Sequence, residues 1–164
     1  MALHWLLSVA LLSAAEFSWP AGQPIAESVL VVKSERRLYL LKEGVPFAHY
    51  RVTFGANPKG HKQREGDERT PEGNYVLDWK QDYSSFYKAI HVSYPNAQDQ
   101  AAALERGEDP GGLIMIHGQK NGYEWLSVVS AFFNWTDGCI ALSNSDMDEV
   151  WLSVRAGTPI EIRP

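Results

Sequence analysis

Eight runs of β-branched and aromatic residues, none longer than nine positions, punctuate this chain, with turn residues between them. Runs of that length and composition suit strands and are too short for most helices. The first three, at 28–33 (SVLVVK), 37–41 (RLYLL) and 46–54 (PFAHYRVTF), lie close together, with Glu43-Gly44 as a turn signal between the second and third. They predict an antiparallel meander. Runs at 73–79 (GNYVLDW), 89–94 (AIHVSY), 113–117 (LIMIH), 139–142 (CIAL) and 159–162 (PIEI) extend the pattern, so the expected fold is mainly β.

Three segments carry helical periodicity instead. Residues 97–106 (AQDQAAALER) are rich in alanine and closed by Gly107, while 123–133 place Trp125, Val128, Val129 and Phe132 on one face. A third helix is expected after Asn144 as N-cap, with Asp146, Asp148 and Glu149 in its first turn. Met147, Val150, Trp151 and Val154 form its apolar face, and Gly157 stops it.

The N-terminus, MALHWLLSVALLSAAEF, is apolar from residue 3 to 12 and then small at Ser13-Ala14-Ala15, the pattern of a cleaved signal peptide over 1–15. Its first residues hold no Lys or Arg, which leaves a buried or peripheral helix as the alternative. The run is short of the roughly 20 residues a spanning helix needs, and no later segment could span a bilayer. After a linker at 16–27, residues 28–164 form one domain of ordinary size. A hydrophobic content of 45% with 12% aromatics is globular. The net charge of -5 and the lack of a basic patch give no sign of nucleic-acid binding.

One connection, 55–70 (GANPKGHKQREGDERT), holds seven charged residues and almost nothing apolar. Loops of that length are commonly functional. It could meet an ionic substrate or be a solvated surface loop, and it is expected near one end of the sheet.

An exported chain usually pairs its cysteines, so the single Cys139 is either a small buried hydrophobe or a reactive thiol. A thiol nucleophile needs a base and backbone donors for the oxyanion it creates. Gly138-Cys139 sits where a polar turn enters a strand, so the glycine permits close backbone approach and the Cys139 amide is a candidate oxyanion donor. His117 ends the run LIMIH and precedes Gly118, which leaves its imidazole little covered at a strand terminus. His49, His61 and His91 are the alternatives, His91 the next in line. A zinc site from Cys139, His117 and His91 lacks any short ligand pair, so neither metal nor other cofactor is expected.

Taken together, IMIHG and TDGCI resemble the active-site motif of the L,D-transpeptidase (YkuD-type) catalytic domain, in which His-Gly precedes Ser/Thr-x-Gly-Cys. The likeness extends through RTPEGNY, HVSYPN, DPGGLIMIHG, WTDGCIALSNSDMDEVW and GTPIEI, over about residues 29–162, and is strongest with a periplasmic subgroup. The resemblance implies a β-sandwich or barrel of mixed sheets with two or three short helices. It implies Cys139 as nucleophile and His117 as base, with Gly138, the Cys139 amide, Thr136 and Gly118 shaping the oxyanion turn. His91 and Tyr94 are the substrate-side candidates. The implied substrate is a peptidoglycan stem peptide, attacked at the amide after the L-centre of diaminopimelate to release D-alanine and leave a thioester. An amine acceptor then gives a cross-link or an attached protein, such as a wall-bound lipoprotein. Water gives hydrolysis, so an amidase or endopeptidase is the alternative, and a non-catalytic wall-binding module a third reading. The implied compartment is the periplasm or cell envelope. Two positions depart from the family: Asp137 stands where many members have His, and Ala141 where they have Arg.

Overall fold

The computed structural model describes residues 22, 24–83, 85–123, 125 and 133–164. The expected signal peptide and most of the expected helix at 123–133 lie outside the described residues. Eight strands, β1 (Ser28–Val32), β2 (Arg37–Lys42), β3 (Val45–Arg51), β4 (Gly73–Tyr83), β5 (Tyr87–Val92), β6 (Met115–His117), β7 (Ile140–Ala141) and β8 (Thr158–Arg163), form one sheet. Two helices, α1 (Ala97–Arg106) and α2 (Asn144–Ser153), complete the described elements.

Alternation determines which side of each strand is buried. Val29 and Val31 of β1 point inward and lie opposite Leu40 and Leu38 of β2. On the other side of β1, the parallel strand β8 sets Ile160 beside Val29 and Ile162 beside Val31. The apolar row continues through Tyr75 of β4, then Ile90, Ile116 and Ile140 of β5, β6 and β7, whose partners are in register. The strand order is β3-β2-β1-β8-β4-β5-β6-β7, with parallel pairs at β1/β8 and β6/β7 and antiparallel pairs elsewhere.

The two ends of this order meet. Just past β3, the Thr53 amide donates to the Ala141 carbonyl at 3.0 Å, and the Ala141 amide returns a bond to Thr53 at 2.9 Å. A second bridge joins Gly55 to Thr136. Mixed pairing with near closure is the sandwich or barrel architecture the resemblance implied.

Asn96 caps α1 through the Gln98 and Asp99 amides, Asp99 answers on the Asn96 amide, and Gly107 ends the helix in a left-handed conformation. At α2 the N-cap is Ser143, whose hydroxyl accepts from the Asp146 amide, and not Asn144. Asn144 instead braces the neighbourhood of β6, where its side-chain oxygen accepts the Gln119 amide at 2.8 Å. The helix stops at Ser153, ahead of Gly157, while Met147, Val150 and Val154 enter the core as expected.

The charged connection 55–70 is folded against the sheet. Asp67 accepts from the amides of Gln63, Arg64 and Arg69 and from Lys62 Nζ at 2.7–3.2 Å, and Lys62 is only 3% exposed. Burial acts to raise the Asp67 pKa, but hydrogen bonds from Gln63, Lys62, Arg69 and Arg64 outweigh it and hold the carboxyl down at about 2. Four donors converging on one carboxylate make this loop a built element.

Candidate active site

The parallel pairing of β6 and β7 decides what meets what. Ile116 and Ile140 face the core as partners, and His117 lies opposite Ala141. Cys139 immediately precedes β7, and with His117 it lines an open cleft of about 250 Å³. Trp79, Phe86, Leu113 and Met115 also line it, together with Gln81, Ser85 and Ala89; none of these side chains is charged.

His117 is 2% exposed. Its ring packs against Phe86, with centroids 4.3 Å apart, and edge-on to Trp135 at 6.0 Å. Nδ1 lies 2.6 Å from the Gly118 carbonyl, which can only accept, so Nδ1 carries the proton and Nε2 of the neutral ring holds the lone pair. Burial pushes the His117 pKa down to about 4, against the opposing effect of the Gly118 bond. The imidazole is therefore a neutral base of fixed tautomer.

The Cys139 thiol points at the Leu113 carbonyl, 3.7 Å away. Burial pushes its pKa up, helped by the charge of Asp137 and opposed by a hydrogen bond from the Met115 amide and by Lys62. Asp137 is exposed, yet its charge still disfavours the thiolate. Both shifts favour the neutral thiol and the neutral imidazole over an ion pair in the resting site.

The turn before the cysteine is fixed by Thr136, buried at 5% exposure. Its hydroxyl donates to the Cys139 carbonyl at 2.7 Å and accepts the Gly138 amide at 3.3 Å. Gly138 has φ +129, and a Cβ there would stand 2.6 Å from the Arg69 carbonyl oxygen. Its amide is engaged by Thr136, so its part is conformational and steric, and the Cys139 amide is the remaining oxyanion candidate. Gly118 is demanded by space: a Cβ would meet Asn144 Oδ1 at 2.6 Å and the Tyr87 carbonyl oxygen at 2.8 Å.

The other candidates scatter. His91 stands on the cleft face of β5, opposite Met115, but its Nδ1 is 2.7 Å from Asp78 and its ring stacks on Trp79. Tyr94 is 3% exposed, packs edge-on to Tyr75 and donates to the Pro110 carbonyl. His61 accepts the Glu72 amide and bonds Asp99, and His49 lies across from Tyr39 on β3. Among the described residues no cluster of three or more His, Cys, Asp or Glu converges as a metal site. Reasoning from residues missed Phe86, Leu113 and Asn144; their contributions are ring packing, a backbone carbonyl and a brace, for which no local motif exists.

The same fold recurs in known proteins. Residues 26–162 match the YkuD L,D-transpeptidase catalytic domain. YafK of Escherichia coli, whose name assigns it provisionally to the L,D-transpeptidases, is 32% identical over 136 residues, covering 79% of this chain and 47% of that protein. The chain thus spans about half the length of the curated relatives it matches. The crystal structure of Pgp2, a helical cell shape determining protein of Campylobacter jejuni, superposes with a TM-score of 0.62 at 26% identity, covering 82% of this chain and 46% of that one. An L,D-transpeptidase from Mycobacterium smegmatis shares the fold, with a TM-score of 0.56 at 15% identity over 83% of this chain and 58% of that one. The fold is thus that of an L,D-transpeptidase catalytic domain. The chain belongs to the L,D-transpeptidase catalytic domain family.

Proposed function

We propose that this domain is a cysteine-dependent L,D-transpeptidase of peptidoglycan stem peptides, working in the periplasm or cell envelope after export. The observation that carries the reading is the tautomer of His117: Nδ1–H is spent on the Gly118 carbonyl, which leaves Nε2 as a base in the cleft that Cys139 lines. As Cys139 Sγ attacks the amide carbon after the L-centre of diaminopimelate, Nε2 takes the thiol proton and the carbonyl oxygen becomes an oxyanion facing the Cys139 amide. Collapse breaks the C–N bond, Nε2–H protonates the departing amine of D-alanine, and a thioester remains. An acceptor amine, deprotonated at Nε2, then attacks the thioester and releases the thiol.

One observation favours a second reading, hydrolysis of an amide at diaminopimelate. Among the described residues no Lys or Arg lines the cleft, and Ala141 occupies the position where many family members carry Arg, which weakens the hold on a free terminal carboxylate. The test is incubation of the domain and its Cys139→Ala variant with tetrapeptide muropeptides and with intact peptidoglycan, read by mass spectrometry. Cross-linked products with loss of D-alanine, absent from the variant, support transpeptidation. Cleaved peptides or a freed attached protein support hydrolysis, and no product from either protein supports a wall-binding module.

A further inference from the structure

The pairing of β4 with β5 is broken at one place. Leu77 pairs with Val92 and Lys80 with Ile90, so Asp78 and Trp79 together oppose the single residue His91. Such a bulge redirects side chains, and bulges gather beside functional sites. Here both redirected side chains meet His91. Asp78 Oδ1 lies 2.7 Å from its Nδ1, and the Trp79 indole stacks on its ring with centroids 4.7 Å apart and planes 12° from parallel. The indole is thus held flat from behind by an imidazole that is itself anchored by a carboxylate. Trp79 nevertheless stays 38% exposed and lines the cleft of Cys139.

Its place along the cleft follows from the register. His91 is two residues from Ala89, the partner of His117 on β5. Two residues at about 3.3 Å and two strands at about 4.8 Å put Trp79 about 12 Å from His117. That is about three to four extended residues, at roughly 3.3–3.6 Å each, from the bond that breaks. We propose that Trp79 is a specificity-determining platform on which a planar amide of the donor stem peptide stacks, and that His91 and Asp78 are the residues that position it. The proposal rests on the reading of the site as one for stem peptides. Because the contact is remote from the reacting carbon, it acts equally on ground and transition states and affects KM, leaving kcat in place.

The test is binding of a sugar-free tetrapeptide and of the corresponding muropeptide to the Cys139→Ala protein, by calorimetry, with thermal midpoints measured alongside. Trp79→Ala is expected to weaken Kd for the free peptide about fivefold to tenfold, the range of an aromatic stacking contact. Trp79→Leu, which fills space without a plane, gives the same reading if the alanine variant unfolds. His91→Ala should weaken binding by a smaller factor and His91→Phe, which restores a flat ring under the indole, should recover it; a merely structural His91 would not show that rescue. An unchanged Kd in Trp79→Ala or Trp79→Leu, or a loss confined to the sugar-bearing ligand, overturns the platform while leaving the stem-peptide reading intact. If the Cys139→Ala protein binds neither ligand, the stem-peptide reading falls and the platform with it.

Discussion

In the resting site the proton of Cys139 stays on sulfur, and the pH dependence of alkylation tests this. Shifting His117 from 6.5 to about 4 penalises the imidazolium by about 3.4 kcal/mol, at 1.36 kcal/mol per tenfold change in proton affinity. The thiol, raised above its ordinary 9.0, adds to the cost. Set against an ordinary thiol at 9.0, an imidazole at about 4 disfavours the charged pair by about 10⁵ before the two charges attract, and the upward shift of Cys139 acts in the same direction. Attraction of about 4 kcal/mol, generous for a partly buried pair at an effective dielectric of about 20, recovers about a thousandfold. The ion pair thus amounts to about one molecule in a hundred or fewer. The assay is iodoacetamide labelling of this single thiol between pH 5 and 10, followed by mass. The rate should climb steadily past pH 9 with no plateau near neutrality, and His117→Ala should change it less than about twofold at pH 7 while reducing turnover by about 10²–10⁴. A labelling plateau between pH 5 and 7 that His117→Ala abolishes would refute the neutral pair.

The remaining predictions concern the supports of the site. Gly138→Ala, which forces a Cβ to 2.6 Å from the Arg69 carbonyl at φ +129, should destabilise the domain by about 1–3 kcal/mol in urea melts and lower turnover by at least tenfold. Acid should act in two stages. His117 binds a proton more weakly in the fold than in the unfolded chain, so its contribution is present above pH 6.5 and lost on descent to pH 4. Asp67, lowered from 3.8 to about 2, keeps its contribution above pH 3.8 and loses about 2 kcal/mol as pH falls to 2. Urea midpoints across pH 2–7 should show both, with Asp67→Asn removing only the lower one. Tyr94→Phe should cost about 1 kcal/mol in the same melts through the lost Pro110 bond and leave KM unchanged; a raised KM would return Tyr94 to the substrate.

What could be read in advance was whatever repeats at short range. Short β-branched and aromatic runs marked the strands, and alanine content with Gly107 bounded α1 to the residue. Leu113 was read into the strand of LIMIH, but its φ of +54 turns the backbone before β6 begins at Met115. Ser143 and Asn144 are both good caps by type, and the choice between them depended on Gln119, a partner 25 residues away that needs Asn144. The loop 55–70 stayed open between a substrate contact and a solvated surface, because composition does not reveal that Asp67 gathers four donors. For the site, Gly138, Cys139, His117 and Gly118 stood out as motifs. The protonation states did not, because they follow chiefly from the burial of His117 and Cys139, and the packing of Phe86 on the His117 ring joins residues far apart along the chain.

The near closure of the sheet also fixes the order in which the site can arise. Strand β7 is two residues long, and its hydrogen bonds come from His117 on one side and Thr53 on the other. Neither partner is local, so the thiol strand has no structure of its own to form early. Contacts of such large sequence separation are slow to form, because loop closure costs entropy before the contact repays it. A chain still folding therefore carries Cys139 without its base or its turn, and competence to form a thioester arrives only when the ring of strands shuts.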